Sequence, residues 1–264
     1  MITSVCQRWR AHRGVYRPAG EPIDPRDHEV AAIPDDTTAK TFVEREHYAH
    51  SYPAARERFG LYRRGALVGV AVFSVPVRPA VLRPFPADVA AELGRFVLLD
   101  GVPANGESWF LAECFARLRR EGYAGVVSFS DPEPRTALDG TVTFRGHVGT
   151  IYQATNARYV GRSKPDTIHL LPDGTELARR GLVKVRKRER GWRYVVARLV
   201  AAGARPPTED TPDALARWLR GTLAEVTRKV RHGGKHRYLF ALDRAARRLL
   251  PAGLPYPKFS MRSA

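Results

Sequence analysis

Apolar and polar positions change period several times along the chain, and each change marks an element. Turns at Arg17-Pro18-Ala19-Gly20 and Pro22-Ile23-Asp24-Pro25 precede Glu29 to Ile33, which predicts a short strand. Asp35-Asp36-Thr37-Thr38 supplies N-cap side chains for a helix running to about Tyr48. Phe59 to Tyr62 and Leu67 to Val75 predict two strands joined at Arg63-Arg64-Gly65, with Gly60 and Gly69 marking a bulge or a close backbone approach. A proline-broken excursion, Pro76 to Pro86, leads to a fourth strand from Glu92 to Leu99. The turn formers of Asp100 to Ser108 open a helix in which Phe110, Leu111, Cys114, Phe115 and Leu118 recur on one face, and Gly122 stops it. Gly125 to Phe129 predicts a short apolar strand ending at Ser130-Asp131-Pro132. A short helix over Gly149 to Thr155 and strands at Tyr159-Val160 and Thr167 to Leu171 follow.

Strand, helix and strand in this order predict an α+β fold, a mixed sheet with helices on its faces, over residues 1–172. Residues 173–264 read as a second, mainly helical region. Glu176 to Ala202 carries Leu182, Val185, Val195, Val196 and Leu199 as its apolar positions. Thr211-Pro212 starts another helix with Leu215, Trp218, Leu219, Val226 and Val230 on one face. Gly233-Gly234 ends it, and Tyr238 to Leu242 predicts a strand.

Charge changes the picture. The chain carries 44 Lys+Arg against 27 Asp+Glu, a net +17. Residues 157 to 264 hold 25 and 9 of these, or +16, leaving +1 for residues 1 to 156. A near-neutral body with a strongly basic end points to a polyanionic partner. No apolar run approaches the roughly 20 residues needed to cross a bilayer. Met1 to Arg13 lacks the apolar stretch of a secretory signal. Cys6 and Cys114 have neither a CxxC partner nor a His at metal-ligand spacing. A cytosolic protein without membrane association is expected.

Five places could carry chemistry. Asn105-Gly106-Glu107-Ser108 opens a helix directly after a strand, where unpaired N–H groups cradle a pyrophosphate or simply form a capped turn. Asp131 ends an apolar strand as a base, a metal ligand or a turn former before Pro132. Gly146-His147-Val148-Gly149-Thr150-Ile151-Tyr152 places two titratable rings on one segment, with Tyr152 an acid for a leaving group or a packed aromatic. His47-Tyr48-Ala49-His50, at a helix end, suits iron binding, a proton relay or plain capping. Finally, Arg186-Lys187-Arg188, Arg190, Trp192, Arg193 and Tyr194 interleave cations with aromatics, and Lys235-His236-Arg237 follows the Gly-Gly turn. Cations position phosphates and aromatic faces stack bases, although Trp192 and Tyr194 equally suit a core.

Taken together, Glu44 to Pro53, Arg58 to Leu61, Glu92 to Arg95, Asn105 to Trp109, Gly146 to Asn156, Arg190 to Tyr194, Lys235 to Tyr238 and Pro255 to Lys258 resemble the Mom DNA-modification proteins of bacteriophage Mu and its relatives. The resemblance implies a divergent GNAT acyltransferase core that converts adenine in DNA to an N6-carbamoylmethyl derivative, shielding phage DNA from restriction. It implies that Asn105 to Ser108 hold the pyrophosphate of an acyl donor, acetyl-CoA or a glycyl-bearing donor. It also implies that His47, Tyr48, Asp131 and Tyr152 form the active site, with iron held by His47 and Asp131. Two departures stand out. The loop lacks the Gln/Arg-x-x-Gly-x-Gly pattern of ordinary GNAT enzymes, and Glu133 to Phe144 reads as an insertion that lets Asp139 compete with Asp131. A transferase acting on RNA, or using a charged tRNA, and a catalytically inactive DNA-binding protein are the alternatives.

Overall fold

The computed structural model describes residues 5–11, 13–18, 20–76 and 78–258. The basic leader expected over Met1 to Arg13 lies partly outside these residues, as do Ala19 of the expected first turn and Val77 of the proline-broken excursion. In chain order, β1 (Val5–Arg10) and β2 (Arg13–Pro18) form an antiparallel hairpin. β3 (His28–Ala32) leads to α1 (Asp36–Glu46), which Asp35 caps by accepting the Thr38 N–H at 2.8 Å. β4 (Ala55–Arg63) and β5 (Ala66–Ser74) make the expected hairpin, and a single 3-10 turn, Pro79–Leu82, occupies the excursion. β6 (Ala90–Leu98), α2 (Gly106–Arg120) and β7 (Gly125–Ser130) follow. Next come β8 (Arg135–Thr136), β9 (Val142–Phe144), α3 (Thr150–Ala154), β10 (Arg158–Arg162) and β11 (Asp166–Leu170). The chain continues through β12 (Glu176–Leu177), α4 (Arg179–Lys187), α5 (Trp192–Ala201) and α6 (Pro212–Val226). It closes with β13 (Arg228–His232), β14 (His236–Ala241) and α7 (Arg244–Leu249).

The described residues form two compact units. The first comprises the chain up to Pro132, Gly146–Ser163 and the residues from Lys235 on; the second comprises Glu133–Arg145 and Lys164–Gly234. Neither boundary falls at residue 172, because β14 pairs between β10 and β7 in the main sheet.

Unit one is built on a seven-stranded sheet in the order β10-β14-β7-β6-β5-β4-β3. Within it only β6 and β7 pair in parallel; every other neighbouring pair is antiparallel. Both faces are covered, which explains the near-continuous apolar strands. Ala91, Leu93, Val126, Tyr238 and Phe240 point into a core shared with Phe110, Leu111, Cys114 and Leu118 of α2. Ala90, Val127 and Leu239, their neighbours in sequence, point the opposite way onto Leu82, Phe85 and Ala246. The β4–β5 hairpin has the expected bulge beside Gly69, where Leu61 faces Gly69 and Tyr62 faces Leu67, and the expected close approach at Gly60, where a Cβ would strike Tyr62 and Leu67. A second bulge lies at Gly94, since Val72 faces Arg95 and Phe73 faces Leu93. A side chain there would run into Ser74 Oγ.

In unit two, β11 lies between β12 and β13 in a three-stranded antiparallel sheet, and β8 pairs with β9. Leu182, Val185, Trp192, Val195, Leu199, Leu215, Leu219 and Leu223 fill its core. Two expectations change here. The span Glu176 to Ala202 is broken into a short strand and two helices, with Arg188 at φ 52° and Gly191 at φ 87° between the helices. Val230 lies in β13, since α6 stops at Val226 and Thr227 turns to an extended backbone.

Candidate active site

The site starts from a backbone event. β6 and β7 pair from Ala90↔Gly125 to Leu93↔Ser128, and the pairing ends there although both strands continue. Two parallel strands that part in this way leave a gap between their carboxyl ends, where ligands of open α/β sheets sit.

Around that gap, α1 ends when His47 leaves helical geometry (φ −81°, ψ 137°), just before the expected Tyr48. The buried His47 ring accepts the Ala49 N–H on Nδ1 at 3.0 Å and stacks on Tyr48 at 4.2 Å between centroids. Tyr48 Oη reaches His147 Nε2 at 3.5 Å, at the long limit of a hydrogen bond. The His147 N–H donates to the Asp131 carbonyl at 2.7 Å, which ties the Gly146 segment to the end of β7. Asp131 is 3% exposed, and Lys235 Nζ stands 3.9 Å from its carboxylate. Lys235 itself is fixed by a backbone exchange with Ser163, its N–H on Ser163 Oγ at 2.9 Å and its carbonyl receiving the Ser163 N–H at 2.8 Å.

Tyr152, on α3, is buried beside Tyr238 and Phe240, at 5.3 and 6.0 Å between ring centroids. Gly149 at φ 70° starts α3, and a Cβ there would strike the Tyr152 ring. Burial raises the Tyr152 phenol above its usual value and Glu92 adds to the rise, while Ser128 eases it. Ser128 Oγ and Ser130 Oγ are wholly buried without a well-formed hydrogen bond. Glu92, on β6, is also shifted upwards by burial, with Arg95 and Lys235 opposing the shift. The expected residues His47, Tyr48 and Asp131 are thus brought into one line of contacts through His147, with Lys235 beside Asp131, whereas Tyr152 lies in the core against Tyr238 and Phe240. Asp139 belongs to unit two, where it is exposed in the β8–β9 turn and its carboxylate accepts the Thr141 N–H at 2.8 Å.

Among the described residues no three His, Cys, Asp or Glu side chains come together as a metal-binding set. The expected iron, held by His47 and Asp131, therefore finds no donor set: His47 Nδ1 is occupied by a backbone N–H and Asp131 faces an ammonium.

The start of α2 is already filled from within the chain. Arg8, with no exposed side-chain surface, forms an ion pair with Glu107 and donates to the carbonyls of Val102, Pro103 and Ala104. Asn105 Oδ1 accepts the Ile23 N–H at 2.6 Å, and Ser108 Oγ donates to the Asn105 carbonyl at 2.9 Å. Burial lifts Glu107 to about 7 against the pull of Arg8. Arg8→Ala would leave a buried carboxylate without its cation and strip three carbonyls of a donor. It is expected to cost about 3–5 kcal/mol, read as an earlier urea midpoint with an unchanged m-value.

The expected phosphate-gripping residues divide. In unit two, Arg186, Lys187, Arg188, Arg190 and Arg193 are exposed, with Arg188 and Arg193 2.7 and 3.7 Å from Asp210. Trp192 is buried in the core, so it packs rather than stacks bases; Arg193 lies over its ring at 4.8 Å, and Tyr194 is exposed. β13 adds exposed Arg228, Lys229 and Arg231, and both Lys229 and Arg186 depress the half-buried His169 after desolvation has done so. In unit one, Arg237 is spent on the carbonyls of Val81 and Arg83. His236 is buried against the Tyr159 hydroxyl at 2.8 Å, and burial is the first cause of its lowered pKa.

Residues 27–258 match the Mom protein family. The chain belongs to that family. No curated protein matches it in sequence. Among solved structures, the Mom-family chain resembles an N-acetyltransferase from Staphylococcus aureus Mu50 at 12% identity and TM-score 0.30, over 71% of this chain and 68% of the other. It also resembles a tandem GNAT protein from the clavulanic acid biosynthesis pathway, at 12% identity and TM-score 0.36, over 74% and 66%. No described helix is long and apolar enough to cross a membrane.

Proposed function

We propose that this Mom-family protein is an acyltransferase-type enzyme that modifies the N6 amine of adenine in DNA, with a carbamoylmethyl-type adduct as the product and protection from restriction as the use. The observation that carries the reading is the linked set Tyr48, His147, Asp131 and Lys235 beyond the point where the parallel strand pair parts, in a chain matched by the family over residues 27–258.

The chemistry asks for such a site. The adenine amine is a weak nucleophile because its lone pair is delocalised into the ring, so a base must remove its proton as the bond to carbon forms. The adenine must also leave the helical stack to reach a site of this kind, which suits a flipped or single-stranded nucleotide. Tyr152, held protonated by burial, is suited to protonate the leaving group. The donor is an acyl donor, an acyl-CoA or a glycyl-bearing one such as a charged tRNA. A glycyl group on N6 holds the same atoms as the carbamoylmethyl product, so with a glycyl-bearing donor a rearrangement follows the transfer, whereas a plain acetyl donor would leave the acetylated amine. Asn105, Gly106, Glu107 and Ser108 are the proposed seat for the donor's phosphates, where Glu107 would yield Arg8 to them. The exposed cations of α4, its following turn and β13 are the proposed grip on the DNA backbone.

Mass spectrometry of nucleosides from plasmid DNA of expressing cells tests the reading against an empty-vector control. A deoxyadenosine heavier by a carbamoylmethyl group is expected. Unchanged DNA with the protein folded would overturn it and turn attention to the same digest of tRNA.

A further inference from the structure

Exposed arginines of unit one differ in what they face. Arg26, Arg45 and Arg64 each lie against a carboxylate, of Asp24 at 2.8 Å, Glu46 at 2.7 Å and Asp27 at 3.0 Å. Arg78 and Arg83, which flank the 3-10 turn, and Arg244, Arg247 and Arg248 of α7 are exposed too. Their guanidinium groups make neither an ion pair nor a hydrogen bond among the described residues. The five share one face of the main sheet, because Leu82 and Phe85 of the turn and Ala246 of α7 pack in one cluster with Val127 and Leu239. Arg237 fastens the turn to β14 through the carbonyls of Val81 and Arg83. On α7, positions 244, 247 and 248 recur at i, i+3 and i+4, so three guanidinium groups crowd the side away from buried Ala246. Like charges at these spacings weaken a helix. The acid of the segment, Asp243, is taken up as the N-cap, accepting the Ala246 N–H at 2.7 Å. An anion from outside would relieve the crowding. The patch is also close to the candidate site: Arg237 follows Lys235 by two residues, about 7 Å of strand, and Lys235 faces Asp131.

We propose that α7 and the 3-10 turn before β6 form a phosphate-gripping surface for duplex DNA, on the unit that carries the candidate site and apart in sequence from the cations of α4 and β13. The inference rests on DNA being the partner, as in the proposed function, and not on the chemistry at adenine. Arginine suits the role. Its fork meets two phosphate oxygens at once, it stays charged at any working pH, and it is more weakly hydrated than an ammonium. Contacts of this kind hold the backbone whatever the sequence, so they place the duplex without choosing a base. Duplex DNA is favoured over other polyanions by position. A backbone held on this face brings the target base to the site through contacts of unit one alone, which a lipid surface or an unrelated RNA would have no need of.

The test compares two triple variants of the full chain that lose the same charge. Arg244→Gln, Arg247→Gln and Arg248→Gln together remove the cations of α7, while Arg26→Gln, Arg45→Gln and Arg64→Gln remove three that already face carboxylates. Fluorescence anisotropy with a mixed-sequence duplex at several salt concentrations reads both. The α7 variant is expected to bind about ten- to a hundredfold more weakly near physiological salt, with the slope of log K against log salt flatter by about two to three. The other triple variant should flatten it by less than about one. Adding Arg78→Gln and Arg83→Gln to the α7 variant should flatten the slope further. Lysine at the three α7 positions should keep the parent's slope, since the charge is kept. Equal changes in the two triple variants overturn the inference, because net charge alone then explains them. So does a parent that binds no duplex DNA, and so does an α7 variant that holds duplex DNA as before but loses tRNA or anionic phosphatidylserine vesicles. The adenine reading fails separately: a parent that modifies no plasmid DNA, beside an α7 variant with the flatter slope, removes the chemistry and upholds the surface.

Discussion

Tyr152→Phe is expected to lower the modified deoxyadenosine in plasmid DNA by about 10²- to 10⁴-fold, the usual contribution of a general acid. The substitution removes one oxygen and keeps the ring. The packing against Tyr238 and Phe240 should survive, with stability changed by no more than about 1 kcal/mol. Loss of modification in a protein that melts like the parent then speaks for chemistry at the hydroxyl. Asp131→Asn gives the companion result: it keeps the shape but leaves Lys235 without its anion, 3.9 Å away in the parent. A large drop is expected there as well, through the position of Lys235 near the gap. If Tyr152→Phe modified DNA at the parent's level, Tyr152 would be a core aromatic and no more.

The second large effect concerns binding. Replacing Arg186, Lys187, Lys229 and Arg231 together by Gln is expected to weaken affinity for duplex DNA on the order of a hundredfold near physiological salt. The slope of log K against log salt should flatten by about one for each phosphate that is no longer neutralised. Fluorescence anisotropy at several salt concentrations reads both. The four lie on α4 and β13 with exposed side chains, and Arg186 and Lys229 act on the same His169 ring. Arg188 and Arg193 should contribute less, since Asp210 already lies within 2.7 and 3.7 Å of them. An unchanged slope would remove this face from the DNA-binding reading.

Much of the fold was legible because local rules agreed. Asp35 and Thr211 cap their helices as their side chains suggest, and the apolar face read for α2 is the buried one. Long-range pairing was not legible. Nothing near Tyr238 says that its strand belongs between β10 and β7, and a division at residue 172 followed from sequence order alone. The distribution of charge shifts with the boundary. The segments of unit two hold 18 Lys+Arg and 10 Asp+Glu and the rest of the chain 26 and 17, so both units carry a basic excess. At the site, Asp131 and Tyr152 could be picked out by their positions at a strand end and in a glycine-flanked segment. Lys235 and Arg237 read as phosphate ligands because sequence reports charge without direction; one turns to Asp131 and the other to two carbonyls. Arg8 gave no signal, since its partners lie some ninety residues away.

The place of β14 governs the order in which the protein can come into being. Seven strands must be present for the main sheet to close, and the one flanked by β10 and β7 is the last to be synthesised. A ribosome therefore makes all of unit two while β7 still exposes an unpaired edge. Such an edge is sticky, and pairing across a long sequence separation is slow. Nascent chains halted before His236 should be handed to chaperones or proteases, whereas unit two, whose strands and helices are complete by Gly234, has everything it needs to fold while the rest waits.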